Sequence, residues 1–133
     1  MDTKPRDISP DVREFLRLLK SRPGMYLGKE SLNALWHFLN GIIFYKDAFD
    51  KGSDRVIIPD GFTDFVEKYY GEHWTFNHFH YVLHFENDDK KALFKWFDLL
   101  DEYLISLGYE PLGKREDIIE ELHNKSINNS DKK

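Results

Sequence analysis

Apolar residues recur at intervals of three and four along most of the chain, which is the spacing of amphipathic α-helices. The first run follows Ser9-Pro10-Asp11, a helix-start signal, and predicts a helix over about 9–21. A second run follows Ser31, continues to about residue 50 and contains Gly41. Because glycine costs about 1 kcal/mol relative to alanine inside a helix, we expect a close helix contact at Gly41.

The second half of the chain contains three more such runs. One predicts a helix over about 60–70, and the clearest one predicts a helix over about 88–107. The latter is apolar on so much of its surface that we expect it to lie at the centre of the fold. A short helix over 118–122 comes last, and the polar residues 124–133 are expected to form a flexible tail.

Residues 74–86 fit two patterns. Four apolar residues alternate as they would in a strand: Phe79, Tyr81, Leu83 and Phe85. The spacing of a helix is present in the same stretch, and the chain offers no obvious strand to pair with it, so we predict a helix. The sequence therefore predicts a mainly α fold, a single-domain bundle of about five to six helices over residues 1–123, with a strand at 74–86 as the alternative.

Composition narrows the class of protein. The 133 residues fit one domain, and the aromatic content of 16% indicates either an aromatic core or an adhesive aromatic face. The absence of cysteine excludes disulfides and zinc–thiolate sites. The first residues lack the apolar run of a secretory signal, and no apolar stretch approaches the length of a membrane helix. We therefore predict a cytoplasmic protein that does not bind membranes.

The net charge of −5 is unevenly distributed. Residues 60–110 carry four basic and eleven acidic side chains, which gives 4 − 11 = −7. Such a surface disfavours nucleic acid as a direct ligand and suits a basic protein partner. We predict that six acidic residues form the partner-binding face: Glu86, Asp88, Asp89, Asp98, Asp101 and Glu102.

Four histidines lie within twelve residues: His73, His78, His80 and His84. On a helix, His80 and His84 are four apart and share a face, which is a spacing that can hold zinc. Neither has a neighbouring glutamate of the kind that a metalloprotease helix requires. We interpret the histidines as the polar side of an aromatic helix and predict no metal and no cofactor, with His80 and His84 as the weak metal candidates.

The most distinctive string is Arg22-Pro23-Gly24-Met25-Tyr26-Leu27-Gly28. Proline and glycine predict a rigid turn, which we expect to place Met25 and Tyr26 against the domain while Arg22 offers several donors. A structural or binding role is therefore predicted for Arg22, Pro23, Met25, Tyr26 and Gly28. The chain contains no phosphate-binding loop and no nucleophile motif, so no catalytic residue is predicted.

Together with Ser31-Leu32, Gly61-Phe62 and the 88–104 helix, this string resembles a group of small bacterial proteins with an Arg-Pro-x-Met-Tyr-Leu/Ile-Gly motif. Some members of that group look like immunity proteins of polymorphic toxin systems. The resemblance implies a protein that binds a cognate toxin, nucleases included, and blocks it without catalysis. Two alternatives remain: a metal-dependent or acid–base enzyme using the His73–His84 region, and a homo-oligomeric regulatory module.

Overall fold

The computed structural model describes residues 4–131, with side chains over 4–127. These residues form seven helices and no strand: α1 (Pro10–Ser21), α2 (Pro23–Leu27), α3 (Leu32–Phe49), α4 (Phe62–Tyr70), α5 (His78–Glu86), α6 (Asp89–Ser106) and α7 (Arg115–Asp131). The prediction of a mainly α, single-domain bundle is confirmed.

Helix α6 is the centre of the bundle, as its broad apolar surface predicted. It packs against α3, α4 and α5. Eight of its side chains are buried: Ala92, Leu93, Trp96, Phe97, Leu99, Leu100, Tyr103 and Leu104. Its first turn is capped by Asp88, whose carboxylate accepts a hydrogen bond from the Lys91 amide at 2.9 Å.

Residues 78–86 form a helix, so the strand alternative is wrong for this stretch. Asn77 caps α5 by accepting a hydrogen bond from the His80 amide at 3.0 Å. Trp74 lies before the helix, and its ring stacks parallel to that of Phe85 at 5.3 Å. The described residues provide no strand that could pair with this stretch, so its backbone groups are satisfied within a helix instead.

The Arg22–Gly28 string is itself helical, which raises the number of helices above the predicted five to six. Pro23 occupies the first position of α2, where its missing N–H costs nothing, and its side chain is buried. Gly28 ends the helix at φ 84° and donates its amide hydrogen to the Gly24 carbonyl at 3.0 Å. The predicted rigid turn is therefore a single capped helical turn.

Helix α4 begins at Phe62 rather than at about residue 60, and Gly61 is its N-cap residue. Gly61 has φ 89°, and a Cβ atom there would lie 2.5 Å from the Tyr103 hydroxyl. That hydroxyl donates to the Asp60 carbonyl at 2.5 Å. The start of α4 is thus fixed directly to the central helix, and only glycine fits at the junction.

The two ends of the chain meet where α1 packs against α7. The predicted short final helix is wrong in length, because α7 continues to Asp131 through residues that were expected to form a flexible tail. Buried Ile118 anchors the helix, and Glu116 and Asp117 stabilise its first turn. The predicted flexible tail also included residues 132–133, which lie outside the described residues. None of the helices over residues 4–131 has the length and apolar composition needed to cross a membrane.

Candidate functional site

Three of the six predicted acidic binding residues have intramolecular partners at helix ends. Asp88 caps α6, as described above, and Glu86 accepts a hydrogen bond from the Tyr70 hydroxyl at 2.9 Å. Asp89 accepts from the Ser31 hydroxyl and, at 3.0 Å, from the Asn33 amide. Burial alone would raise the pKa of Asp89, but these hydrogen bonds outweigh it and lower the pKa. Glu86 and Asp89 therefore join neighbouring helices, and Asp88 stabilises the start of its own helix.

Asp101 is also committed to the fold. Its carboxylate accepts hydrogen bonds from Lys20 Nζ at 2.9 Å and from the Leu112 amide at 2.7 Å. Lys20 is buried and also donates to the Gly113 carbonyl. Asp101 thus joins α6 to α1 and to the segment before α7. Of the six candidates, only Asp98 and Glu102 are exposed and make no hydrogen bond or ion pair among the described residues.

The predicted positions of Met25 and Tyr26 are wrong. Met25 is 69% exposed and Tyr26 is 39% exposed, so both side chains point away from the domain. Arg22 is exposed between α1 and α2. The reason is that a helical turn directs successive residues around its axis, and α2 buries Pro23 as its contact with the core.

The histidine cluster is divided among different environments. His80 and His84 are exposed on α5 and pack edge-on against Trp36 at 4.4 Å and Trp74 at 5.0 Å, respectively. His73 pairs with Glu67 before the helix begins. Over the described residues, no three histidine, aspartate or glutamate side chains come close enough to share a metal ion.

His78 differs from these three because its ring is half-buried and packs against core residues. Its Nδ1 accepts a hydrogen bond from Trp96 Nε1 at 2.9 Å, and its ring contacts Phe62 and Phe79. Burial lowers the pKa of His78 to about 3, since the charged form would lose its hydration. Sequence spacing directed attention to His80 and His84 and gave no signal that distinguished His78.

An exposed apolar feature lies along α3. Phe38, Ile42, Tyr45 and Phe49 follow at intervals of three and four and form one line, which we call the α3 stripe. Tyr45 is 63% exposed and Phe49 is 74% exposed, and their rings are 5.5 Å apart. At the other end of the stripe, Phe38 stacks on Phe15 of α1 at 5.8 Å.

An apolar hollow of about 370 Å³ lies beside the stripe. Ile42 of the α3 stripe lines the hollow, and so does Phe15 of the neighbouring helix α1. The remaining lining is mostly apolar, with one ion-paired arginine and aspartate at the edge: Val12, Leu39, Ile57, Arg55 and Asp11. A partner protein could therefore contact the exposed rings of the stripe and place a side chain in the hollow beside them.

Gly41 flanks the stripe and does not make the close helix contact that its presence predicted. It is exposed, and no atom lies within 4 Å of the position that a Cβ would occupy. The prediction is wrong because Gly41 lies about 160° around the helix axis from buried Leu39, on the side of α3 that faces solvent. The surface around Gly41 is instead open for the approach of another molecule.

The α3 stripe is the feature that sequence reasoning missed, although a signal for it was present. The core line of α3 consists of Leu32, Leu35 and Leu39, and the aromatic residues at 38, 45 and 49 fall outside that line. A helix with a second apolar line beside its core line has more apolar surface than packing against one side of the bundle can bury. The high aromatic content indicated an adhesive face without placing it.

No protein-family model, curated protein or solved structure matches this chain.

Proposed function

We propose that this protein is an immunity-type binding module that neutralises a cognate toxin domain by covering its active site or substrate groove. The observation that carries the proposal is the α3 stripe, a line of solvent-exposed aromatic side chains on a helix whose other face is packed. Exposed apolar patches of this kind mark protein-binding surfaces. The function requires no catalytic residue and no cofactor.

The stripe has the composition of a binding hot spot. Aromatic side chains bury a large area at a low cost in side-chain entropy, and they dominate the energetics of protein interfaces. Phe49 and Tyr45 would insert into the partner, and the hollow beside Ile42 would receive an apolar side chain from it. The motif residues Met25 and Tyr26, also exposed, extend the apolar character of the surface outside the stripe.

The acidic side chains have a second role in this proposal. The net charge of −7 over residues 60–110 (4 − 11) attracts a basic partner over long range and raises the rate of association. Asp98 and Glu102 are the two candidates best suited to direct contact, because the carboxylates of the other four accept hydrogen bonds within the fold. Binding should therefore weaken as salt concentration rises.

The test is co-expression of this chain with the toxin domain encoded beside its gene. Cells that express the toxin domain alone should stop growing, and the wild-type chain should restore growth and co-purify with the toxin domain in a fixed ratio. The variant Tyr45→Ser/Phe49→Ser should lose both effects. The control is Phe44→Ser, which removes an equally exposed phenylalanine (70%) on the same helix but off the stripe.

Two outcomes would contradict the proposal. If the stripe variant restored cell growth as well as wild type does, the α3 stripe would not be the toxin-binding surface. A stable homodimer that Tyr45→Ser/Phe49→Ser converts to monomer, with no complex formed with a toxin, would assign the stripe to self-association and support the homo-oligomeric alternative.

A further inference from the structure

A cavity of about 710 Å³ lies on the other side of the 55–57 connector from the hollow beside the α3 stripe, and Arg55 and Ile57 line both. It is bounded by residues 4–6, the C-terminal half of α3, the 55–61 connector and the first turn of α4. Its apolar wall consists of Ile43, Val56, Ile57, Ile58 and Phe62. Small-molecule sites typically have this volume and combine an apolar wall with a few polar groups.

His78 supplies an uncharged donor to this cavity. Trp96 Nε1 can only donate, so its hydrogen bond to His78 Nδ1 requires that nitrogen to be unprotonated. The neutral ring then carries its proton on Nε2. Among the described residues Trp96 is the only hydrogen-bond partner of the ring, and the ring lines the cavity. Nε2–H is therefore free to donate to a bound molecule.

The polar groups at the cavity are predominantly positive. Four cationic side chains and two carboxylates contribute, for 4 − 2 = +2: Lys4, Arg6, Lys46 and Arg55 against Asp60 and Asp64. Arg55 is already paired with Asp11 at 2.7 Å, and Arg6 donates to the Asp54 carbonyl. Lys46 is half-buried and has no ion pair or hydrogen bond within the described part of the chain, so its ammonium is free for a ligand.

The first turn of α4 adds further donors. Gly61 at its N-cap has no side chain, so no side-chain cap satisfies the first amide groups of the helix. Phe62, Thr63 and Asp64, the residues of this turn, line the cavity. Free amides at a helix N-terminus favour negative charge, and here they face the same space as the Lys46 side chain and the His78 ring.

From the apolar wall, the His78 donor and the unpaired lysine, we propose that this cavity binds a small organic anion, a carboxylate attached to an apolar body. The carboxylate accepts from Lys46 and the other donors that line the cavity, and the apolar body lies against the isoleucine side chains. The proposal does not rest on partner binding by the α3 stripe, because none of the four stripe residues lines this cavity, although Arg55 and Ile57 line both the cavity and the hollow beside the stripe.

The experiment is an NMR titration of the full chain with three probes of equal shape: 4-phenylbutyrate, 4-phenylbutan-1-ol and 4-phenylbutylamine. The carboxylate should give saturable shifts at the Nε2 resonance of His78 and at the amides of residues 62–64. The alcohol should bind more weakly, and the amine should give no saturable shift at these positions. Equal shifts from all three probes, or no saturation by the carboxylate at millimolar concentration, would overturn the proposal.

Two variants test the residues. Lys46→Glu should weaken 4-phenylbutyrate binding about tenfold or more, the loss expected for a charged hydrogen bond. Its matched control is Lys91→Glu, which reverses an exposed lysine on α6 outside the cavity and should bind like wild type. Unchanged affinity in Lys46→Glu, or an equal loss in Lys91→Glu, would overturn the proposal. His78→Asn tests the donor, and the lysine pair remains decisive if that variant does not fold.

Discussion

The two halves of α3 have nearly the same apolar content and different surroundings. Six of the eight residues over 32–39 are apolar, as are six of the nine over 41–49. The first half holds three fully buried leucines and stacks Trp36 on Phe79 of α5 at 5.5 Å. The second half buries no side chain completely, and three of its rings are more than 60% exposed.

This difference separates residues that stabilise the fold from residues that remain for a partner. Burial contributes about 25 cal/mol per Å² of apolar surface removed from water, and Tyr45 and Phe49 of the α3 stripe make little of that contribution in the free protein. An apolar side chain that does not stabilise the fold becomes useful when another molecule covers it. The acidic residues divide in the same way, because Asp101 accepts hydrogen bonds within the fold and Asp98 is exposed without a hydrogen bond or ion pair among the described residues.

The sharpest way to break this comparison is to truncate one residue in each half. Leu39→Ala should lower the free energy of unfolding by about 2–5 kcal/mol, because it leaves a cavity in the core. Phe49→Ala should change it by no more than about 0.5 kcal/mol. Urea unfolding followed by circular dichroism measures both values. Similar losses in the two variants would show that the second half of α3 is packed in solution.

The acidic residues allow the same comparison with a smaller effect. Asp101→Ala should lower the free energy of unfolding by about 3 kcal/mol, since it leaves the buried Lys20 ammonium without its carboxylate. Asp98→Ala, on the exposed side of the same helix, should stay within about 0.5 kcal/mol of wild type. If Asp98→Ala were the more destabilising variant, the assignment of Asp98 as a free contact residue would be wrong.

His78 predicts a pH dependence that belongs to the packed part of the molecule. Burial lowers its pKa to about 3 from an ordinary value of 6.5, so the unfolded chain takes up a proton first as the pH falls. Stability should therefore decrease by about 2 kcal/mol between pH 7 and pH 5. The lowered pKa of Asp89 affects the free energy of unfolding only at a lower pH, because that stabilisation is lost as the pH falls below the ordinary value of about 3.8.

The measurement for this prediction is the free energy of unfolding at pH 7 and pH 5 for wild type and for His78→Asn. The variant should be less stable at pH 7 and should lose most of the difference between the two pH values. A pH dependence that is the same in both proteins would show that His78 is not the group responsible.

The smallest expected effect concerns Gly41 in the exposed half. Gly41→Ala should raise the free energy of unfolding by about 0.5–1 kcal/mol, because alanine is the better helix former and the site is open. Thermal unfolding gives this value, and a destabilised variant would show that Gly41 is packed after all.

Local spacing was sufficient to predict most of the helices. The run ending at Ser21 has one dominant apolar line, and the run ending at Ser106 is apolar over much of its surface, which is typical of a central helix. Helix α2 was missed because Pro23-Gly24 is typical of a turn, and the spacing of so short a segment carries no periodic signal. Helix α7 was underestimated because its last residues are polar and extend a helix that begins at an apolar anchor.

The candidate site was less predictable because it depends on contacts between distant residues. Asp101 receives its hydrogen bond from Lys20, 81 positions earlier, and no local pattern indicates such a pairing. The exposure of Phe49 depends on where the neighbouring helices end, which the spacing of apolar residues does not encode. The charge pattern therefore predicted six contact residues, but four of them accept hydrogen bonds within the fold and only two have no such partner among the described residues.

The most direct test of the α3 stripe is the affinity for the toxin domain that we propose as its partner, measured by calorimetry for Phe49→Ser and Phe44→Ser. The two phenylalanines are equally exposed on one helix and lie about 140° apart around its axis, at about 100° per residue. Phe49→Ser should weaken binding about 30-fold, as expected for a hot-spot residue, and Phe44→Ser should change it less than about threefold. Equal losses in the two variants, or no loss in Phe49→Ser, would contradict the account.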